Sequence, residues 1–208
     1  MSFEPICELG MPTVPVVNSA SPYRTLADLL DAAHAKLGEL TLASFGPATA
    51  FQVAFKTLKH AANVNMTFLP YSDAAPVINV LLGDHVTSGL TTYSTASERL
   101  NAGKLRSLAT PSRTRIEPLP EIPTVADTAT KALSWTTGWL APAKTPIEKL
   151  ARLSDWLTAA LQLPEPKAKL LPLGLYPAGV CGAHFAAVLR RRYNDYGRVV
   201  RESNIKAD

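Results

Sequence analysis

Between Thr25 and Ala109 the chain alternates helix signals with short apolar runs, and that alternation admits few folds. Thr25 and Asp28 form a capping box ahead of Leu26, Leu29, Leu30 and Ala33, and Gly38 closes the helix. Leu40–Ser44 reads as a short strand. Ser44-Phe45-Gly46-Pro47-Ala48-Thr49 then turns into a second helix with an apolar stripe of Phe51, Phe55 and Leu58. Val64–Leu69 alternates as a strand, Pro70-Tyr71-Ser72-Asp73 turns, and Ala74–Leu82 is helical up to Gly83. His85–Thr91 is the next strand and Tyr93–Asn101 the next helix. Gly103 stops that helix ahead of a strand at Leu105–Ala109. Single short helices between strands predict βαβ units, hence an α/β class with a largely parallel sheet.

The pattern changes beyond Ala109. A basic turn around Arg113 and Arg115 is followed by Leu-Pro-Glu-Ile-Pro-Thr-Val-Ala, and Pro111, Pro118, Pro120 and Pro123 exclude a long helix or an inner strand there. Ser134–Ala141 reads as a strand carrying Trp135 and Trp139. Thr145-Pro146-Ile147-Glu148 is a helix start, with Thr145 as cap and Pro146 at the first position. Ile147, Leu150, Leu153, Leu157 and Leu161 repeat at helical spacing until Pro164. A final helix over Gly182–Glu202 buries Phe185, Val188, Leu189, Tyr193, Tyr196 and Val200 and turns its arginines outward.

Charge and composition exclude several classes. Arg190, Arg191, Arg192, Arg198 and Arg201, set against Asp195, account for the whole net charge of +4, so the body of the chain is neutral. A nucleic-acid binder spreads its basic groups over a contact surface, and these arginines read instead as a solvated helix face. No run is long and apolar enough to span a bilayer. Glu4, Glu8 and the early prolines break any apolar core of a signal peptide. Cys7 and Cys181 read as two buried or idle thiols ahead of a disulfide or a catalytic nucleophile, and the sequence leaves open whether they pair. His34, His60, His85 and His184 are scattered, which implies neither metal nor cofactor. Cys181 with His184 lacks an orienting group, and no Gly-x-Ser-x-Gly elbow exists, so no catalytic residues are assigned.

What remains is binding at strand ends. In open α/β sheets, ligands collect beyond the carboxyl ends of strands, where helix N-termini offer free amides to anions. The Ser44–Thr49, Pro70–Asp73 and Thr91–Ser94 loops and the Trp135–Gly138 region occupy such places. Gly46 has no Cβ to block backbone approach, and Ser44 and Thr49 add hydroxyls. The candidate ligand-binding residues are Ser44, Phe45, Gly46, Ala48, Thr49, Tyr71, Ser72, Asp73, Thr91 and Thr92. By spacing alone the Gly46 loop is equally an ordinary strand-to-helix turn, and Tyr71 equally a cap on the core rim. No Walker or dinucleotide glycine pattern is present.

Taken in order, these residues resemble the substrate-binding receptors of tripartite tricarboxylate transporters, the Bug-type extracytoplasmic solute receptors. The landmarks are Thr25-Leu26-Ala27-Asp28-Leu29, Leu42-Ala43-Ser44-Phe45-Gly46, Leu69-Pro70-Tyr71 with Ala75-Pro76, and Leu81-Leu82-Gly83 with Val86. The Ala102–Leu108 and Leu119–Val125 strings follow, then Trp135, Gly138, Ala141-Pro142, Thr145-Pro146 and Ile205-Lys206. The resemblance implies a type II periplasmic-binding-protein-like fold, with two lobes closing on a small carboxylate held by backbone amides, small hydroxyls and water. It also implies a periplasmic location (cytoplasmic if Met1 is the true start), membrane permease subunits as partners, and no enzymatic activity.

Relatives of that family carry a signal peptide and a further N-terminal portion before the point matching Phe3. The resemblance therefore implies an N-terminally truncated member. One ligand-binding lobe is nearly complete (residues 14–137), and the terminal lobe is a remnant (residues 1–13 and 138–208) with its return strand and last helices. The sequence departs from the family pattern at Ala48, Gln52, Ser72-Asp73 and Thr87, and Arg192 stands where a glutamate is expected. Two other readings accompany the receptor. One is a non-binding fragment that self-associates as a homodimer through exposed apolar faces. The other, with least support, is an α/β enzyme using the Gly46 loop for an anionic substrate.

Overall fold

The computed structural model describes residues 3–11, 13–47, 49–110, 122–124 and 136–205. The chain divides into two compact units, one of residues 1–11 with 135–198 and the other of residues 12–134 with 199–208.

The larger unit carries the candidate site. Its strands are β2 (Thr13–Asn18), β3 (Thr41–Phe45), β4 (Thr67–Tyr71), β5 (Ser88–Thr92) and β6 (Leu105–Ser107), in the order β4-β3-β5-β2-β6. Helices α1 (Leu26–Ala35), α2 (Ala50–Ala62), α3 (Ala74–Leu82) and α4 (Tyr93–Asn101) fill the connections. The expected capping box closes α1. Thr25 Oγ1 accepts from Asp28 N–H at 3.1 Å, and the Asp28 carboxylate accepts from the Thr25 and Arg24 amides at 2.9 Å. Those backbone donors at Arg24 and Thr25 hold the Asp28 carboxyl below its ordinary value. Leu26, Leu29, Phe55, Val77 and Leu81 of the helices and Leu42, Ala43 and Leu90 of the strands are all buried.

The sheet is mixed where a largely parallel one was expected. β3 pairs parallel with β4 and β5, while β2 runs antiparallel to both β5 and β6. β2 was not expected as a strand, because Pro15 lies in its middle and cannot donate to a ladder. Here Pro15 contributes its carbonyl instead, which accepts from Leu108 N–H at 2.9 Å. The observed strands β3, β4 and β5 begin one to three residues later than the apolar runs suggested, since Leu40, Val64 and Val86 are buried just ahead of the ladders.

The smaller unit is a three-stranded antiparallel sheet in the order β7-β1-β8, made of β7 (Thr136–Pro142), β1 (Phe3–Gly10) and β8 (Tyr176–Cys181). Helix α5 (Ile147–Gln162) lays Leu150, Leu153 and Leu157 against Ile6, Cys7 and Ala141. α6 (Pro164–Leu170) follows with its proline at the helix start, and α7 (Gly182–Glu202) spans the range expected for it. Gly138 has its place because Phe185 packs on it: a Cβ there would lie 2.5 Å from the Cys7 carbonyl oxygen and 2.7 Å from the Phe185 ring.

Four expectations for this unit are corrected. Cys7 and Cys181 are not idle thiols but a disulfide, because β1 and β8 pair them directly with Cα atoms 4.0 Å apart. Thr145 does not cap α5; its hydroxyl donates to the Pro142 carbonyl at 2.7 Å, and the helix starts at Ile147. Tyr193 is exposed rather than buried. Arg192 does not point to solvent: its guanidinium meets the buried Glu8 carboxylate at 3.3 Å. Ser134, Trp135 and the basic turn at Arg113 and Arg115 lie outside the described residues.

Candidate functional site

Strand direction gathers the candidate residues at one edge of the five-stranded sheet. β3, β4, β5 and β6 all run opposite to β2, so their carboxyl ends share an edge with the first residue of β2. Across that edge stand Tyr71 at the end of β4, Phe45 and Gly46 at the end of β3, and Thr91 and Thr92 at the end of β5. α2, α3 and α4 all begin there. Ala48 lies outside the described residues.

The three helix heads differ in charge. At α3 the Asp73 carboxylate accepts from the Ala74 amide at 2.6 Å. An anion already occupies that positive end, so Asp73 acts as a cap and Ser72 beside it is an exposed turn residue. At α2 the cap is neutral: Thr49 Oγ1 accepts from Gln52 N–H at 3.4 Å and donates to the Gly46 carbonyl at 2.9 Å. At α4 it is neutral again, with Thr92 Oγ1 accepting from Thr95 N–H at 3.4 Å and lying 2.8 Å from Thr95 Oγ1. The heads of α2 and α4 therefore keep a positive end that no side-chain carboxylate of their own caps offsets.

Gly46 is not demanded by packing, because a Cβ there would meet only the Tyr71 carbonyl oxygen at an ordinary 3.7 Å. Phe45 is half-buried, with its ring edge-on to Phe51 at 4.4 Å between centroids. Ser44 is buried, and its hydroxyl donates to the Leu90 carbonyl at 2.7 Å, tying β3 to β5. Tyr71 is half-buried at the rim. Thr91 is fully buried. Thr13, the first residue of β2, is buried at this edge, and Thr110, bridged to Thr124, is buried as well. Among the described residues no group of three or more His, Cys, Asp or Glu side chains could hold a metal ion, and no helix is long and apolar enough to cross a membrane.

The model of the tripartite tricarboxylate transporter family receptor, TctC, matches residues 2–205. A UPF0065 protein in the tcbD-tcbE intergenic region of Pseudomonas sp. strain P51 is 28% identical over 202 residues, covering 95% of this chain and 60% of that protein. A UPF0065 protein in the gbd 5' region of Cupriavidus necator is 28% identical over 163 residues, covering 78% and 50%. The chain thus spans 60% or less of the length of the curated relatives it matches.

Among solved structures, a TctC solute binding protein from Polaromonas, without ligand, superposes with a TM-score of 0.86 at 23% identity, over 97% of this chain and 70% of that one. MatC from Rhodopseudomonas palustris with bound malate gives 0.72 at 21%, over 95% and 69%. An R. palustris protein with adipate gives 0.75 at 24%, over 99% and 70%. The fold is accordingly the α/β, periplasmic-binding-protein-like fold of these receptors over about 70% of their length. By the family match over nearly all of its residues, the chain belongs to the tripartite tricarboxylate transporter receptor family, whose members are solute-binding receptors.

Proposed function

We propose that this chain is a non-catalytic receptor that captures a small organic carboxylate at the sheet edge formed by Gly46, Thr49, Tyr71, Thr91 and Thr92. The captured acid passes to the membrane permease subunits of a tripartite transporter. One observation carries the reading: two helix heads, α2 and α4, open at that edge under neutral hydroxyl caps, while Asp73 fills the third. A carboxylate placed there gains from the helix dipoles and amides without a dedicated cation. The relatives solved with malate and adipate support a dicarboxylate or a similar acid as the guest. The Cys7–Cys181 disulfide supports a periplasmic setting, since such bonds persist in oxidising compartments.

Isothermal titration against a carboxylate panel including malate and adipate tests this directly. Gly46→Ala is expected to leave the melting temperature unchanged, because its methyl meets only ordinary contact. The same substitution should weaken acid binding about tenfold, the equivalent of ~1.4 kcal/mol. Folded protein that binds no acid would overturn the receptor reading.

A second reading rests on a different observation. Phe3, Trp156, Leu163, Leu173 and Tyr193 of the smaller unit are all more than half exposed. Such side chains together favour association with a second copy of the chain. Sedimentation velocity separates the two readings: a concentration-dependent dimer that binds no acid supports the self-associating fragment, and an acid-binding monomer removes it.

A further inference from the structure

Helix α7 carries five of the chain's eleven arginines and not one lysine. Their placement follows from 3.6 residues per turn. Arg192 falls on the side of Phe185, Leu189 and Tyr196, all buried or half-buried, and turns inward to Glu8. The other four fall elsewhere. Arg190, Arg201, Arg198 and Arg191 follow one another around an arc of about 100°, and all four are exposed. Ala183, Ala187 and Asn194 are the residues that share this arc, so no bulky side chain stands between the guanidinium groups. From Arg190 to Arg201 the stripe runs roughly 16 Å along the helix.

Little offsets this charge. The acids of α7, Asp195 and Glu202, both border the arc on its Arg191 side. Arg198 meets Asp195 at 3.5 Å, with both side chains more than half exposed to screening solvent. Among the described residues no acid pairs with Arg190, Arg191 or Arg201. Arg198 and Arg201, three apart, repel one another as like charges on one helix face do. The partner that would relieve this follows from the shape of the stripe. It is straight, of one sign and low between its charges, so it fits a flat negative surface without matched contours. Guanidinium forks hold phosphate oxygens in pairs. Tyr193, 75% exposed beside Arg190 on the other margin, has the amphipathic ring that settles at a headgroup layer. We propose that this face of α7 docks the chain on an anionic phospholipid surface, where the four arginines meet headgroup phosphates. The contact is electrostatic and reversible, because the apolar residues of α7 lie on its other side and no described helix is long and apolar enough to cross a membrane.

Cosedimentation with lipid vesicles tests the docking. It is run with no organic acid present, so its outcome is independent of the carboxylate reading. The wild-type chain should bind vesicles of two parts phosphatidylcholine to one part phosphatidylglycerol at low salt and leave vesicles of phosphatidylcholine alone in suspension. Added salt should release it by screening the contact. Arg190→Gln should weaken binding about fivefold, and Arg190→Gln with Arg201→Gln about 25-fold. The melting temperature should hold in both, since these side chains are exposed and make no ion pair among the described residues. Asp195→Asn removes a bordering negative charge and should tighten binding, an effect that a merely disturbed helix would not give. Equal binding to both vesicle types, or wild-type affinity in the double variant, overturns the proposal. Failure of the wild-type chain to bind the anionic vesicles overturns it too; if that chain is instead retained by immobilised polyglutamate, the stripe serves an acidic protein face and not a lipid surface.

Discussion

Replacing Cys7 and Cys181 with serine, or reducing the disulfide, is expected to unfold the smaller unit at a markedly lower temperature while the larger unit melts as before. The bond closes a loop across a sequence separation of 174 residues. Treated as chain entropy removed from the unfolded state, that closure contributes about 5 kcal/mol. The full amount is an upper bound, because residues 12–134 lie inside the loop and fold as a unit of their own. While they stay folded, they already restrict the ends, so a loss of about 2–4 kcal/mol is expected for the smaller unit. That is a large share of what a small three-stranded sheet and the helices against it can hold. Differential scanning calorimetry with and without reductant should show one transition move and the other stay. Two free thiols titrated under non-reducing denaturing conditions would contradict the pairing.

How much of this was legible from sequence divides along the distance between interacting groups. The capping box at Thr25 and Asp28 and the ranges of α3, α4 and α7 follow from signals within a few residues, and the structure has them as read. The positions of the helix heads were legible for the same reason. β2 and β8 were not. Pro15 breaks the strand pattern of the first, while Pro177 and Gly179 break that of the second, where an outer position tolerates both. Only pairing with distant segments makes either a strand. The partners of the site's buried hydroxyls, the disulfide and the position of Arg192 depend on that same long-range register. Asp73 shows the reverse case: read as a candidate ligand-binding residue, it is a local cap, and its carboxylate is already engaged.

The loss of either partner of the Glu8–Arg192 pair is expected to be nearly as damaging as loss of the disulfide. Glu8 lies on the central strand β1 and is 7% exposed, and the Arg192 guanidinium of α7 reaches its carboxylate at 3.3 Å. A carboxylate at that depth is tolerated because a cation meets it. Arg192→Leu leaves the negative charge behind without that cation, at an expected loss of about 3 kcal/mol. Arg192 keeps some contact with water, which places the figure at the lower end of the range for buried pairs. Replacing both residues, as Glu8→Leu with Arg192→Leu, removes charge and counter-charge together and should recover most of the loss. Tyr196 gives an independent readout on the same helix. Burial raises its phenol, and the neighbouring Arg192 pulls it back down. In Arg192→Leu that opposing charge is gone, so Tyr196 should titrate at a higher pH than in the wild-type chain. A purely structural use of Arg192, through its hydrocarbon stem alone, would leave the tyrosine titration unmoved and let Arg192→Met behave as the wild type. The double-mutant cycle and the tyrosine titration must therefore agree if Arg192, standing where relatives of this family are expected to carry an acid, holds its place as the counter-ion to Glu8.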